Sequence, residues 1–271
     1  MESNGDYTDF MGVVVYEGRE PKDDFKGSSS LGIMMANAMG GMWIGHTIPG
    51  FPNLTLDAAA FPPEELKNGH MIMCFSLGIE TLNSLAIAIK QTGPAVTKIV
   101  VPQLLKSHLP EWTNLMTTDY PLRRRSKTSV EKSLRGIIMA RSPGDTRCVY
   151  QSFAKTKGIV VDVYGHKEHH GLEECDRKYS IRNINSISLK FREQVYYIPN
   201  SSDTVGFALS TGASWQRAGV SKNQYWMCTG NIENQPFGAK GGIIACVFHF
   251  QIWRSFDKLK IKEPECPKTI F

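Results

Sequence analysis

The chain has 271 residues, of which 41% are hydrophobic and 21% are charged, and its formal net charge is +5. These values are ordinary for a globular protein and exclude a disordered chain; the mild positive charge permits a polyanionic partner without requiring one. No apolar run reaches the length of about eighteen residues that a transmembrane helix needs. Residues 1–15 lack the pattern of a secretory signal peptide.

The first half predicts strands followed by a helix. Phe10–Gly18 is a β-branched run closed by glycine, which is typical of a buried strand. Leu31–Pro52 predicts a hairpin that turns at Gly40 and Gly41, and His70–Gly78 predicts a further strand. Residues 79–94 predict a helix stopped by Gly93 and Pro94, with four apolar side chains on one face: Leu82, Leu85, Ala86 and Ile89.

The second half predicts a separate lobe. Residues 120–136 are basic and poor in apolar side chains, so we expect an exposed connection there. It would end an N-terminal lobe of residues 1–146, and residues 147–271 would form a C-terminal lobe. Ordered structure resumes at CVYQSFAKTKG; SISLKF and QVYYIP predict strands, and residues 241–260 predict a strand running into a helix. Strands alternating with helices favour an α/β fold.

A faint internal repeat supports two related lobes. GSSSLGIMM…GGMWIGHT and LSTGASWQR…NQYWMCTG each place a serine-rich loop before a hydrophobic segment and an aromatic strand. This similarity fits pseudo-symmetric lobes that arose by duplication.

Cysteines and glycosylation sequons favour an oxidising compartment. Four of the six cysteines lie in the last hundred residues, and none has the spacing of a zinc site, so we predict no metal. Asn53 and Asn200 head glycosylation sequons in segments that resemble surface loops. Together these features favour a secreted glycoprotein.

The polar segment STGASWQRAGVS, Ser210–Ser221, raises a question of chemistry. It lies between two predicted strands, where an active-site loop is expected in an α/β protein, yet it holds no His, Lys, Asp, Glu or Cys. It is either a loop that was never a site or a site whose catalytic residues have been replaced.

Several segments resemble the deoxyribonuclease II family, the acid endonucleases of lysosomes and secretions. They are GGMWIGHTIPGFP, GHMIMCFSLG, VYQSFAK, and YWMCTGN followed by GGIIAC. The resemblance runs from about Phe10 onward, so we expect a first lobe that lacks the family's N-terminal portion. It implies a phospholipase D-like fold of two pseudo-symmetric α/β/α lobes sharing a central cleft.

The chemistry implied by this resemblance uses neither metal nor cofactor. A histidine of a His-x-Lys motif attacks the phosphorus, and the lysine neutralises the charge that develops on the phosphate oxygens. A second His-x-Lys motif supplies the acid and base, and partial protonation of the imidazoles explains an acid optimum.

Neither motif survives in this chain. The C-terminal His and Lys fall on Ser214 and Gln216, or on Trp215 and Arg217 in a second register. The N-terminal His and Lys fall on Ser29 and Leu31. His46 stands where the family places an auxiliary histidine, and we interpret it as vestigial.

A further family segment is altered at GNIENQ, residues 230–235. Where the family carries an Asp-x-Asn-Arg type of run, this chain has Asn231, Glu233 and Asn234. The arginine that would hold a phosphate is replaced, and the new carboxylate would repel one.

Two charged tracts have competing interpretations. The histidines of residues 166–170 have a spacing that suits a metal, but flanking glycines favour a solvated loop. The basic cluster Arg123, Arg124, Arg125 and Lys127 is a candidate DNA-binding surface, as Arg217 is; the alternatives are a nuclear-localisation sequence or a plain charged connection.

The resemblance also implies two disulfides, Cys228–Cys246 and Cys175–Cys266, and leaves Cys74 and Cys148 as free thiols.

These observations predict a catalytically inactive deoxyribonuclease II-like protein, secreted or lysosomal, that binds DNA, another polyanion or a host protein and does not enter a membrane. Degenerate relatives of this kind resemble those in the secretions of parasitic nematodes. The alternatives are an active metal-independent endonuclease with a rearranged site, and a structural or immune-facing protein that no longer binds DNA.

Overall fold

The computed structural model describes residues 10–20, 22, 27–51, 61–116, 128–129, 136–165, 181–184, 186–199, 205–211, 225–231 and 240–260. Within these ranges strands dominate over helices. The strands are β1 Gly12–Glu17, β2 Gly32–Asn37, β3 Gly40–His46, β4 Ile72–Leu77, β5 Ala95–Val100, β6 Thr128–Ser129, β7 Gly136–Arg141, β8 Val161–Tyr164, β9 Ile181–Ile184, β10 Ser186–Phe191, β11 Gln194–Pro199, β12 Phe207–Ser210, β13 Trp226–Asn231 and β14 Gly242–Phe248. The α-helices are α1 Ile79–Thr92, α2 Pro110–Thr113, α3 Val149–Lys157 and α4 Phe250–Asp257.

The first sheet has five strands in the order β4-β3-β2-β1-β5, and every pair is antiparallel. The predicted hairpin exists, but its turn lies at residues 38–39 and not at Gly40 and Gly41, which begin β3. The side-chain oxygen of Asn37 accepts a hydrogen bond from the Met39 amide at 2.9 Å. This bond favours a turn immediately after Asn37, two residues before the predicted position. Gly41 is needed for strand contact, because a Cβ there would lie 1.9 Å from the Met35 carbonyl oxygen.

The second sheet has seven strands in the order β6-β7-β14-β13-β12-β8-β9. Its pairs are antiparallel except β8 with β9. The consecutive strands β12, β13 and β14 pair directly and antiparallel, whereas α3 separates β7 from β8 along the chain. The described residues therefore form a mixed α/β arrangement in which strands dominate. The predicted connection 120–136 contains β6, which pairs with β7. The division at residue 146 stays a prediction, and β7, which precedes it, belongs to the second sheet.

The helices fill the space between and outside the sheets. As predicted, α1 buries Leu82, Leu85, Ala86 and Ile89, and it ends at Gly93 in the left-handed conformation. This face packs against the first sheet and also against Ile138 of β7 and Ile243 of β14. Helix α3 covers the opposite face of the second sheet, and Trp253 of α4 packs over β12 and β13. The two sheets thus share one hydrophobic core through α1.

Two buried covalent or ionic links reinforce the second sheet. Cys228 and Cys246 are directly opposite each other on β13 and β14 and form the disulfide that the resemblance implies. The fully buried carboxylate of Asp162 accepts from Arg182 at 2.6 Å and from Lys260 at 3.0 Å.

Cys74 and Cys148 are free thiols, the first exposed and the second buried, whereas Cys175 and Cys266 lie outside the described residues. Among the helices that the structure describes, none is long and apolar enough to cross a membrane.

Candidate functional site

The candidate site lies where the two sheets meet, at the end of β3. His46 is the last residue of that strand and is only 1% exposed. A cavity of about 10 Å³ adjoins it, bounded by the residue before β2, by β3 and the start of β4, by the second half of β13 and by the start of β14. Its walls include Leu31, Met71, Thr229 and Gly230. A volume of this size holds about one water molecule, so the described walls leave no room for a nucleotide.

The environment of His46 favours the neutral imidazole. Burial lowers the pKa of His46 from its ordinary 6.5 to about 4, and repulsion from nearby His70 lowers this pKa as well. In the neutral imidazole the Nδ1 atom accepts from the Ile48 amide at 3.3 Å. A backbone hydrogen bond with Ile48 raises the pKa of His46 and so offsets part of the effect of burial. The Phe51 ring packs edge-on at 5.4 Å between ring centroids and contributes to the burial. An imidazole in this state is poorly suited to donate a proton near neutral pH.

Ser29 takes part in the junction between the halves of the chain. Its amide donates to the Gly241 carbonyl oxygen at 2.8 Å, and its hydroxyl donates to the same oxygen at 3.1 Å. The Gly241 amide donates in turn to the Gly27 carbonyl at 2.8 Å. The hydroxyl of Ser29 is therefore committed to a structural contact across the junction.

Leu31 and Ser30 complete the segment to which the resemblance assigns the first motif. Leu31 lines the cavity beside His46, so the structure brings these two predicted positions together. Ser30 is fully buried, and its hydroxyl has no hydrogen-bond partner among the described residues. The segment thus presents an aliphatic side chain and hydroxyls to the junction, and it offers neither an imidazole nor an ammonium group.

His70 and Glu65 form a second pair near the site that sequence reasoning missed. His70 Nε2 lies 3.0 Å from the Glu65 carboxylate, and Nδ1 lies 3.1 Å from the Thr47 carbonyl oxygen. Thr47, next to His46, exchanges two hydrogen bonds with the backbone of Met71, each of 3.0 Å. His70 begins a predicted strand in the sequence, and no spacing there singles it out.

Most of the remaining predicted site residues lie outside the described residues. These are Ser214, Trp215, Gln216, Arg217, Arg123, Arg124, Arg125, Lys127, His166, His169, His170, Asn53, Asn200, Glu233 and Asn234. The loop beginning at Ser210 is fixed at its first two residues. Ser210 Oγ accepts from the Trp226 amide at 2.9 Å, and the Thr211 amide donates to Val160 at 3.0 Å. Asn231 ends β13.

The described part of the chain contains no group of three His, Cys, Asp or Glu side chains placed to hold a metal ion. The chemistry available at the junction is therefore that of one buried imidazole, a separate His–Glu pair and several hydroxyls.

Comparison with known proteins relates this arrangement to one family. The sequence model of the family described as Deoxyribonuclease II matches residues 4–266. Deoxyribonuclease-2-beta of Homo sapiens is 20% identical over 244 residues, which cover 87% of this chain and 64% of that protein. Deoxyribonuclease-2-alpha of Rattus norvegicus is 24% identical over 262 residues, covering 92% of this chain and 72% of that protein. Plancitoxin-1 of Acanthaster planci is 18% identical over 242 residues, which cover 86% of this chain and 64% of that protein. The chain spans just under two thirds of the human protein's length.

Proposed function

The chain belongs to the deoxyribonuclease II family, and on this premise we propose that it is a catalytically inactive member that binds nucleic acid. In this proposal the two sheets with their helices are the lobes of a phospholipase D-like fold, and the first lobe is partial. The residues that would carry out phosphodiester hydrolysis have been replaced, whereas the framework that held them is kept.

The observation that carries the proposal is the identity of the residues at the positions assigned to the N-terminal motif, one of which, Leu31, lines the cavity beside His46. The positions assigned to the N-terminal His-x-Lys pair hold Ser29 and Leu31. The Ser29 hydroxyl donates to a carbonyl oxygen, and Leu31 lies in the cavity wall. These two residues provide neither a nucleophilic imidazole nor an ammonium group for the phosphate oxygens. The sequence places no histidine before His46 and none from residue 171 to residue 248, which removes both nucleophiles in either register.

The small volume of the cavity beside His46 supports the same conclusion. A phosphodiester must come within hydrogen-bond reach of a catalytic imidazole. Here His46 is buried and adjoins a cavity of about 10 Å³. We therefore place nucleic-acid contacts on the outer surface and not at the old catalytic position.

A polyanionic partner is favoured by charge. The chain carries a net charge of +5, and the basic cluster of residues 123–127 together with Arg217 supplies guanidinium and ammonium groups suited to phosphates. Contacts of this kind are independent of sequence and weaken steeply with salt.

We further propose that the protein is secreted or lysosomal. The buried Cys228–Cys246 disulfide and the two sequons at Asn53 and Asn200 support an oxidising compartment. In this setting a host protein is the second candidate partner. Absence of DNA binding at low salt would favour a host protein over nucleic acid.

The deciding experiment is plasmid nicking in EDTA at about pH 5, where free imidazoles are charged. We expect no cleavage by the parent protein. A matched variant restores the lost pairs by Ser29→His, Leu31→Lys, Ser214→His and Gln216→Lys, and any gain of nicking locates the old site. EDTA-resistant cleavage by the parent that disappears in His46→Gln would establish the alternative, an active enzyme with a rearranged site.

Binding is measured separately on duplex DNA over a series of salt concentrations. We expect the logarithm of the affinity to fall linearly with the logarithm of the salt concentration, because phosphate contacts release counterions. Absence of binding at low salt and acid pH would refute the nucleic-acid part of the proposal and leave inactivity standing.

A further inference from the structure

An exposed aromatic ribbon stands apart from the junction. We use this name for residues 186–199, the two-stranded hairpin of β10 and β11. Two hydrogen bonds hold the end of the ribbon that lies opposite its turn. The Ser188 amide donates to the Leu259 carbonyl oxygen at 2.8 Å, and the Tyr164 hydroxyl donates to the Ile198 carbonyl oxygen at 3.3 Å. We call this end the base. Beyond this base the ribbon is exposed on both faces. Among the described residues, the rest of the protein therefore contacts the ribbon at this base.

The exposed part of the ribbon is unusually apolar. Tyr197 is 70% exposed, Phe191 63%, and Tyr196 and Val195 48% each. With Leu189 they make five of the fourteen large hydrophobic side chains that are exposed in the described part of the chain. Single exposed apolar residues are common on protein surfaces, whereas several grouped on one short hairpin are typical of a binding surface.

The strand register distributes the rings over both faces. Leu189 is opposite Tyr196, and Phe191 is opposite Gln194, so Phe191 and Tyr196 are diagonal neighbours on one face. The Tyr196 hydroxyl donates to the Gln194 side chain, which fixes that ring. Tyr197 lies on the other face, opposite Ser188. Each face thus offers aromatic surface to a flat partner.

Basic side chains accompany the rings. Lys190 and Arg192 are exposed at the tip, and the Arg192 guanidinium lies 5.4 Å from the centre of the Phe191 ring. Arg192 has a φ of 55°, the only positive φ among the described residues other than glycine. This conformation is unfavourable for an ordinary side chain. A glycine would relieve that strain, so the arginine is explained better by its charge than by the turn.

We propose that the aromatic ribbon binds single-stranded nucleic acid, with bases stacked on Tyr196, Tyr197 and Phe191 and phosphates bound by Lys190 and Arg192. Every base has a π face, so aromatic rings beside cations bind single strands with little sequence preference. A membrane surface is disfavoured because Glu193 occupies the tip, where insertion would remove its charge from water. The choice of partner rests on the proposed nucleic-acid-binding function.

The test measures fluorescence anisotropy of the full chain at low salt with three probes: labelled oligothymidylate, an abasic oligomer of equal length, and a duplex. We expect Tyr196→Ser and Tyr197→Ser each to weaken oligothymidylate binding about tenfold, the effect of losing one stacked base. Binding of the abasic oligomer and of the duplex stays unchanged. Leu66→Ser and Lys98→Ser are matched controls on exposed side chains elsewhere and change no affinity.

Arg192→Gly separates binding from folding. We expect it to weaken oligothymidylate binding several-fold while the melting temperature stays equal or rises, because glycine tolerates the positive φ. A lower melting temperature together with unchanged affinity would overturn the role given to Arg192.

The outcomes distinguish this inference from the proposed function. Salt-dependent duplex binding with no effect of the tyrosine changes on oligothymidylate refutes the ribbon alone. Tyrosine-sensitive oligothymidylate binding without duplex binding supports the ribbon and refutes the phosphate-driven proposal. A different outcome is that the parent binds phosphatidylserine vesicles but not oligothymidylate, and that the tyrosine changes abolish the vesicle binding. This outcome would overturn the ribbon as a nucleic-acid site.

Discussion

Ser29 and Gly241 are separated by 212 positions in the chain, yet two hydrogen bonds from Ser29 converge on the Gly241 carbonyl oxygen. The Gly241 amide in turn donates a hydrogen bond to the Gly27 carbonyl oxygen. This pairing joins the chain just before β2 to the chain just before β14. It ties the segment to which the resemblance assigns the first motif to the second sheet.

Gly241→Ala is expected to damage this junction. A Cβ at this position would lie 2.0 Å from the Thr92 carbonyl oxygen, so the backbone must shift. We expect the free energy of unfolding to fall by about 3 kcal/mol, the upper part of the range for overpacking. Urea denaturation measures this change in the free energy of unfolding. The matched control is Gly78→Ala, whose Cβ meets nothing within 4 Å; equal losses in the two variants would contradict the explanation.

The buried His46 makes stability depend on pH. Its pKa is lowered from 6.5 to about 4 by burial. Between these values the unfolded chain binds a proton that the folded protein does not, so stability is complete above pH 6.5 and falls toward pH 4. The loss attributable to His46 is about 3 kcal/mol.

The measurement for His46 compares urea denaturation of the parent protein and of His46→Gln across this pH range. The two proteins differ at no other position, so the difference between their profiles reports His46 together with its repulsion from His70. Parallel pH profiles would show that His46 is protonated in the folded state as easily as in water.

The hydrogen bond from Trp43 to Tyr16 is expected to couple these two side chains. Trp43 Nε1 donates to the Tyr16 hydroxyl at 2.8 Å, and both side chains are buried. Tyr16→Phe leaves the indole N–H without its acceptor and should destabilise the protein by about 1–3 kcal/mol. In a double-mutant cycle with Trp43→Phe, the two losses should sum to more than the loss in the double variant. Additive losses would mean that the bond contributes nothing beyond packing.

The Cys228–Cys246 disulfide should contribute measurably to stability. It closes a loop with a sequence separation of 18, and loop-closure entropy predicts about 3 kcal/mol for such a bridge. We expect the double variant Cys228→Ala, Cys246→Ala to show a correspondingly lower free energy of unfolding in urea. Cys74→Ala, which changes an exposed free thiol, serves as the control. A double variant as stable as this control would argue against a bridge in the purified protein.

Local patterns in the sequence predicted most individual elements. The spacing of Leu82, Leu85, Ala86 and Ile89 predicted the buried face of α1, and Gly93 marked its end. The resemblance to the deoxyribonuclease II family is confirmed by the family match. These predictions rest on periodicity within one element or on short runs of residues, and both can be read along the chain.

The assembly of the elements could not be predicted in the same way. Apolar periodicity shows that α1 has a buried face but does not say that Ile243, far along the chain, helps to cover it. The strand orders of the two sheets could not be predicted, because the succession of elements along the chain does not determine which strands pair. The burial of His46 and the closeness of Leu31 likewise depend on how the sheets meet.

The core shared through α1 has a consequence for the order of events during synthesis. Ile243 and Ala245 of β14 pack in the same cluster as Val14 of β1 and Leu85 of α1. The apolar surface of the first sheet and α1 therefore stays partly uncovered on the ribosome until β14 has emerged. During that interval we expect the nascent chain to expose strand edges and an apolar helix face, surfaces of the kind that chaperones bind.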